Sequence, residues 1–203
     1  MMTIPQRSPG GRSSSSAHGS VPKSTGQSGS RWHIALWGTA AFLLLLPLVA
    51  MQFTNEVSWD GTDFAVFAAM LAAAGGTYEL ASRRSGDSAY RAAVAVTVAG
   101  AFILVWMNLA VGIIGTEDNP LNLMYAGVLA VAVIGAGVAR FQPGGMARAL
   151  IATALAQFSA AVVAQIAGHF TWVLTAFYVA LWLTSARLFR RAAREQTHVE
   201  AAP

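Results

Sequence analysis

Six apolar runs, most of them near the roughly 20 residues that carry an α-helix across a bilayer core, alternate with short polar turns along this chain. That alternation leaves few options. Backbone buried in hydrocarbon must satisfy its hydrogen bonds within itself, so runs of this kind become helices packed as a bundle. Only 11% of the 203 residues are charged and mean hydropathy is +0.52, whereas a soluble domain carries about a quarter charged residues. The expected fold is all-α: a six-helix transmembrane bundle with spans at about 34–53, 63–82, 92–114, 121–139, 147–167 and 172–189, inside a membrane domain covering 32–194. Residues 1–31, rich in Ser, Gly and Pro with four cations and no acid, read as a disordered tail, and 195–203 as a second, short one. The first run reads as an uncleaved anchor, because Leu48-Val49-Ala50 matches the small-x-small cleavage pattern poorly.

The pI near 10.1 is explained by where the charges sit. With the N-terminal tail placed in the cytoplasm, all 13 Lys and Arg fall on the cytoplasmic side: four in the tail, three between the second and third runs, two between the fourth and fifth, four at the end. The opposite side carries Glu56, Asp60, Asp63, Glu117 and Asp118 with no Lys or Arg. This is the positive-inside pattern, and it puts both termini in the cytoplasm. The basic residues are topology determinants, so the expected partner is the lipid bilayer and no nucleic acid. Absence of cysteine excludes disulfides, thiolate metal sites and a cysteine nucleophile.

The stretch Trp106–Tyr125 reads as a hairpin tip between two spans: an apolar run carrying Asn108, a break at Gly115, the adjacent carboxylates Glu117 and Asp118, then Asn119-Pro120 as a helix start. On the outer side Asp60, Asp63, Glu117 and Asp118 form an acidic cluster with Asn119, Asn122 and His169 nearby. A hard cation would take such oxygens, yet no spacing matches a dedicated metal loop, and the simpler role for these acids is to cap the second and fourth helices. No metal ligand set and no cofactor are assigned.

In the fifth run Ala152, Ala156, Ala160, Ala164 and Gly168 recur every four residues, beside a second row of Thr153, Gln157, Ala161, Gln165 and His169. Rows at this spacing are inclined ridges on a helix. The small row suits close helix approach, with Leu150 and Val162 as lipid-side controls. Asn108, Gln157 and Gln165, with His169, are either interhelical glue or members of a polar path, glue being the plainer role. Glu79 and Arg83, at i,i+4 spacing, read as a pair at the membrane surface. Residues 63–110 and 122–167 echo one another as helix, Arg, Gly-containing turn, helix, a pattern a parallel repeat would produce, as would two hairpins obeying one topology rule. There is no H-E-x-x-H, G-x-S-x-G, Walker lysine loop or Rossmann fingerprint, so an enzyme is not expected.

Several segments together resemble a family of small bacterial multi-pass integral membrane proteins that has no characterised activity. They are M-Q-F-T-N-E-V-S-W-D from Met51, Y-E-L-A-S-R-R from Tyr78, Y-R-A-A-V from Tyr90, the whole of Trp106–Tyr125, A-R-F-Q-P-G-G-M-A-R-A-L from Ala139 and L-W-L-T-S-A-R-L-F-R-R-A-A-R-E-Q from Leu181. The resemblance covers about Met51 to Gln196, leaves out the Ser/Gly tail, and implies a bacterial inner-membrane location with no site residue attached. The polar row of the fifth run, Asn108 and the acidic outer side point instead to a small transport or permeation-related unit. The alternative is a structural or accessory subunit that packs against a membrane partner, or another copy of itself, through its small-residue faces.

Overall fold

The computed structural model describes residues 27–53, 59–116 and 118–200, with 27–33 and 198–200 as backbone only. The tail up to residue 26, residues 54–58 with Glu56, Glu117, and residues 201–203 lie outside the described residues. Among the described residues the chain is all-helical, in six helices: α1 Gln27–Ala50, α2 Gly61–Arg84, α3 Ser88–Ala110, α4 Leu123–Val138, α5 Pro143–Ile166 and α6 Trp172–Glu200, with a 3-10 turn Pro120–Asn122 leading into α4. Five stretches are long and apolar enough to cross a membrane: 61–84, 88–110, 120–138, 143–166 and 172–197. The apolar part of α1, Ile34–Ala50, is shorter. The chain is thus a multi-pass membrane protein.

Local chemistry explains where the helices start. Asp60 accepts hydrogen bonds from the Thr62 and Asp63 amides, and Asp63 accepts one from the Asp60 amide, a reciprocal capping box at α2. Asp87 caps α3 through the Ala89 amide. Asn119 accepts from Leu121 N–H ahead of Pro120, so the expected cap-and-proline start is present, but it opens the 3-10 turn rather than α4 itself. At the turn after α4, Arg140 and Phe141 both adopt left-handed backbone, and Pro143 then begins α5. Glu79 and Arg83 form the expected ion pair on α2.

Helix α6 sits at the centre. It packs along α5 on one side and α3 on the other, α4 packs on α5, and α2 packs on α3, with α1 against α2. Close approaches are made by small residues. A Cβ on Gly135 of α4 would lie 2.7 Å from the Ala149 Cβ of α5, so these backbones meet only because Gly135 has none. Gly100 of α3 likewise leaves room for the Trp182 ring of α6. Trp59 and Phe67 of the α2 end pack against Trp106 of α3, with ring centroids 5.3 and 4.6 Å away. Leu150, expected on the lipid side, is a core residue at 1% exposure; Val162 is exposed as expected. The reason is rotational, since Leu150 precedes Thr153, Ala154 and Gln157 on the same inward-facing arc of α5.

Candidate functional site

The polar residues of α6 recur at spacings of four and three: Thr171 just before the helix, then Thr175, Tyr178, Trp182 and Ser185, continuing as Phe189 and Ala192. This is the seam spacing of a helix that packs on two neighbours, and every one of these positions is buried. The lower end of the seam is satisfied. Ser185 donates to the Ala93 carbonyl of α3 at 2.7 Å and its hydroxyl meets that of Thr97 at 2.6 Å.

The upper part is not satisfied from within the protein. Thr171 Oγ1, Thr175 Oγ1, the Tyr178 hydroxyl and Trp182 Nε1 are buried and have no hydrogen-bond partner among the described residues. Three more such atoms come from the surrounding helices: the Tyr125 hydroxyl of α4, Gln157 Oε1 of α5 and Asn108 Oδ1 of α3. The Tyr125 hydroxyl lies beside the Thr171 side chain, a pair at the edge of hydrogen-bonding geometry, and near Tyr178. Gln157, 1% exposed, lies between two and three turns in from the end of α5. Asn108 is one turn beyond Leu104, which is fully buried in the core. The column contains hydroxyls, an indole N–H and amide groups, and no ionisable acid, lysine, arginine or histidine. Its chemistry suits hydrogen bonding to a neutral polar molecule.

Above the column, α3 ends at Ala110, and the apolar residues that follow do not extend the helix to 114 as expected. Gly112 turns into the left-handed region at φ 75°, and the chain folds back over the bundle. Asn122 holds this loop. Its side-chain oxygen accepts from the Ile113 and Ile114 amides at 3.2 and 2.8 Å, and its nitrogen donates to the Ile114 and Thr116 carbonyls at 3.4 and 2.7 Å. Ile114 is thereby pressed into the core with no exposed surface. Gly115, at φ 68°, lies under Asn119 Nδ2 and near His169 Cε1.

The residues singled out from sequence are thus distributed. Asn108 and Gln157 each supply one of the buried atoms without a partner among the described residues. Gln165 does not: it is exposed and accepts a 2.9 Å bond from Trp172 Nε1 across the α5–α6 turn. His169 is half-buried beside Gly115 of the loop between α3 and α4. Asp60 and Asp63 engage one another's backbone at the α2 start, Asp118 is exposed in the loop between α3 and α4, and Glu117 lies outside the described residues. No family model, curated protein or solved structure matches this chain. Tyr125 and the α6 seam were the residues that sequence reasoning passed over. The four-and-three spacing of Thr, Thr, Tyr, Trp and Ser was the signal available for them.

Proposed function

We propose that the protein is a small permeation unit for neutral, hydrogen-bonding solutes, with the α3–α6 column as its solute site. The observation that carries this reading is the set of seven buried polar atoms that have no hydrogen-bond partner among the described residues, drawn from α3, α4, α5, α6 and the turn before α6. Stranding a buried donor or acceptor costs about 1–3 kcal/mol, so a column of this kind is stabilised by a guest that both donates and accepts. Absence of formal charge from the column favours neutral over ionic cargo, because a desolvated ion needs a countercharge or a full coordination shell. The loop held by Asn122 lies at the outer end, where it would control access.

The charge distribution supports a membrane orientation with both termini in the cytoplasm and α1 as a sixth span, and the resemblance carried by Trp106–Tyr125 supports the bacterial inner membrane. The test is stopped-flow swelling of proteoliposomes with urea and glycerol, against potassium and chloride flux. Neutral solutes should enter faster than in empty liposomes and the ions should not. Gln157→Leu with Tyr178→Phe should remove the difference while the protein stays folded. Neutral-solute entry equal to that of empty liposomes refutes the reading and leaves the accessory-subunit alternative.

A further inference from the structure

On the opposite face of α3 from the column, α1, α2 and α3 enclose a crevice of 830 Å³ that opens at the surface. Its walls are apolar, built by Leu36 and Leu43 of α1, Leu71 of α2, and Ala95, Ala99 and Phe102 of α3. The end nearest the α2–α3 turn differs: Glu79, Ser82, Arg83 and Arg91 line it there. Glu79 is ion-paired with Arg83 there, and two guanidinium groups against one carboxylate leave that end a net single positive charge. The neighbouring Arg84 takes no part, since its guanidinium lies over the Phe141 ring, 4.8 Å from the centroid. The Ser82 hydroxyl is buried and has no hydrogen-bond partner among the described residues, which places a donor beside the two arginines.

An apolar wall ending in a singly positive, hydrogen-bonding mouth is complementary to one kind of molecule: an amphiphile with one negative charge on its head. We infer that this crevice is a binding site for a single anionic phospholipid. The phosphate lies against Arg83, Arg91 and the Ser82 hydroxyl, and an acyl chain lies along the α1–α2–α3 wall. Arginine matches phosphate through paired N–H donors, and basic pockets between membrane helices on the cytoplasmic side recognise anionic head groups in this way. A volume within about 300–1,000 Å³ is that of a site for one bound molecule. Phosphatidylglycerol, with one negative charge, neutralises the mouth. Phosphatidylcholine brings a quaternary ammonium beside two arginines and is disfavoured. The site is independent of the solute column, so either assignment can fail without the other.

The test is lipid titration of the purified full chain in detergent, read by native mass spectrometry and by melting temperature. Phosphatidylglycerol should bind about five- to thirty-fold more tightly than phosphatidylcholine and should raise the melting temperature. Arg83→Gln with Arg91→Gln should abolish that preference. Ala95→Phe with Ala99→Phe, which fills the apolar wall and leaves the charges in place, should weaken phosphatidylglycerol binding at least as strongly. Glycerophosphate, the head group without chains, should leave the melting temperature unchanged. Equal binding of the two lipids by wild type, or a preference that survives loss of both arginines, overturns the inference. So does a glycerophosphate response matching that of the lipid, which would assign the arginines to free phosphate. If the arginine variant does not fold, undiminished phosphatidylglycerol binding by the alanine-to-phenylalanine variant is sufficient to overturn it.

Discussion

Replacing Asn122 by alanine strikes a side chain that holds the loop between α3 and α4 in place. Four contacts are lost, and they are not equal. The Ile114 amide at 2.8 Å is buried and has no route to water, so stranding it costs the upper part of the usual range. The Ile113 amide and the Thr116 carbonyl are only part-buried and recover some hydration, while the 3.4 Å contact to the Ile114 carbonyl contributes little. Adding one full and two partial penalties gives a loss of about 3 kcal/mol. Asn122→Asp keeps both accepted bonds but sets a carboxylate oxygen against the Thr116 and Ile114 carbonyls, so it should not rescue. Reversible unfolding in mixed micelles measures the loss, and hydrogen exchange should show amides 113 and 114 losing protection in both variants. A cost below about 0.5 kcal/mol for Asn122→Ala would refute the reasoning, because it would mean these backbone groups find other partners at once.

Other substitutions test the packing and the topology. Gly135→Ala should cost about 1–3 kcal/mol by forcing α4 off α5, whereas Gly137→Ala, with nothing near its Cβ, should be neutral in the same unfolding assay. Leu150→Ala should cost about 2–5 kcal/mol and Val162→Ala less than about 0.5 kcal/mol; equal effects would mean the inward arc of α5 is misplaced. A double-mutant cycle of Ser185→Ala and Thr97→Val should show coupling of about 0.5–1.5 kcal/mol, from their 2.6 Å contact in a membrane core. Cysteine at Thr116 should react with an impermeant thiol reagent in intact spheroplasts, and cysteine at Ser85 or Thr197 only after lysis. Labelling of position 85 from outside would invert the orientation.

Hydropathy made the helices legible because burial in lipid is a property of whole runs, and α2, α3, α5 and α6 all begin within four residues of where the apolar runs suggested. What hydropathy reads poorly is anything decided by one residue. The end of α3 depends on Gly112 entering left-handed backbone and on Asn122, eight residues from Ile114, claiming its amide; by composition alone Val111–Ile114 is indistinguishable from helix. Rotation was the second difficulty. Gln157 and Gln165 stand in one i,i+4 row, yet eight residues turn an α-helix about 80° past two full turns, enough to put one in the core and the other at the surface. The column itself was half visible. Asn108 and Gln157 stood out as amides in apolar runs, but Thr, Tyr and Trp are common in membrane helices, and their alignment along α6 is a matter of spacing rather than composition.

The position of α6 between α3 and α5 bears on how the protein is made. Ribosomal synthesis delivers the α2–α3 hairpin and then the α4–α5 hairpin before the helix that joins them exists. Until then the groove in α3 at Gly100 and the inward arc of α5, with Gln157 on it, face lipid or a helper protein. The two hairpins have little to hold them to each other, since α3 and α4 touch only slightly. Maturation is therefore a late event, in which arrival of a single helix converts two separate hairpins into one body.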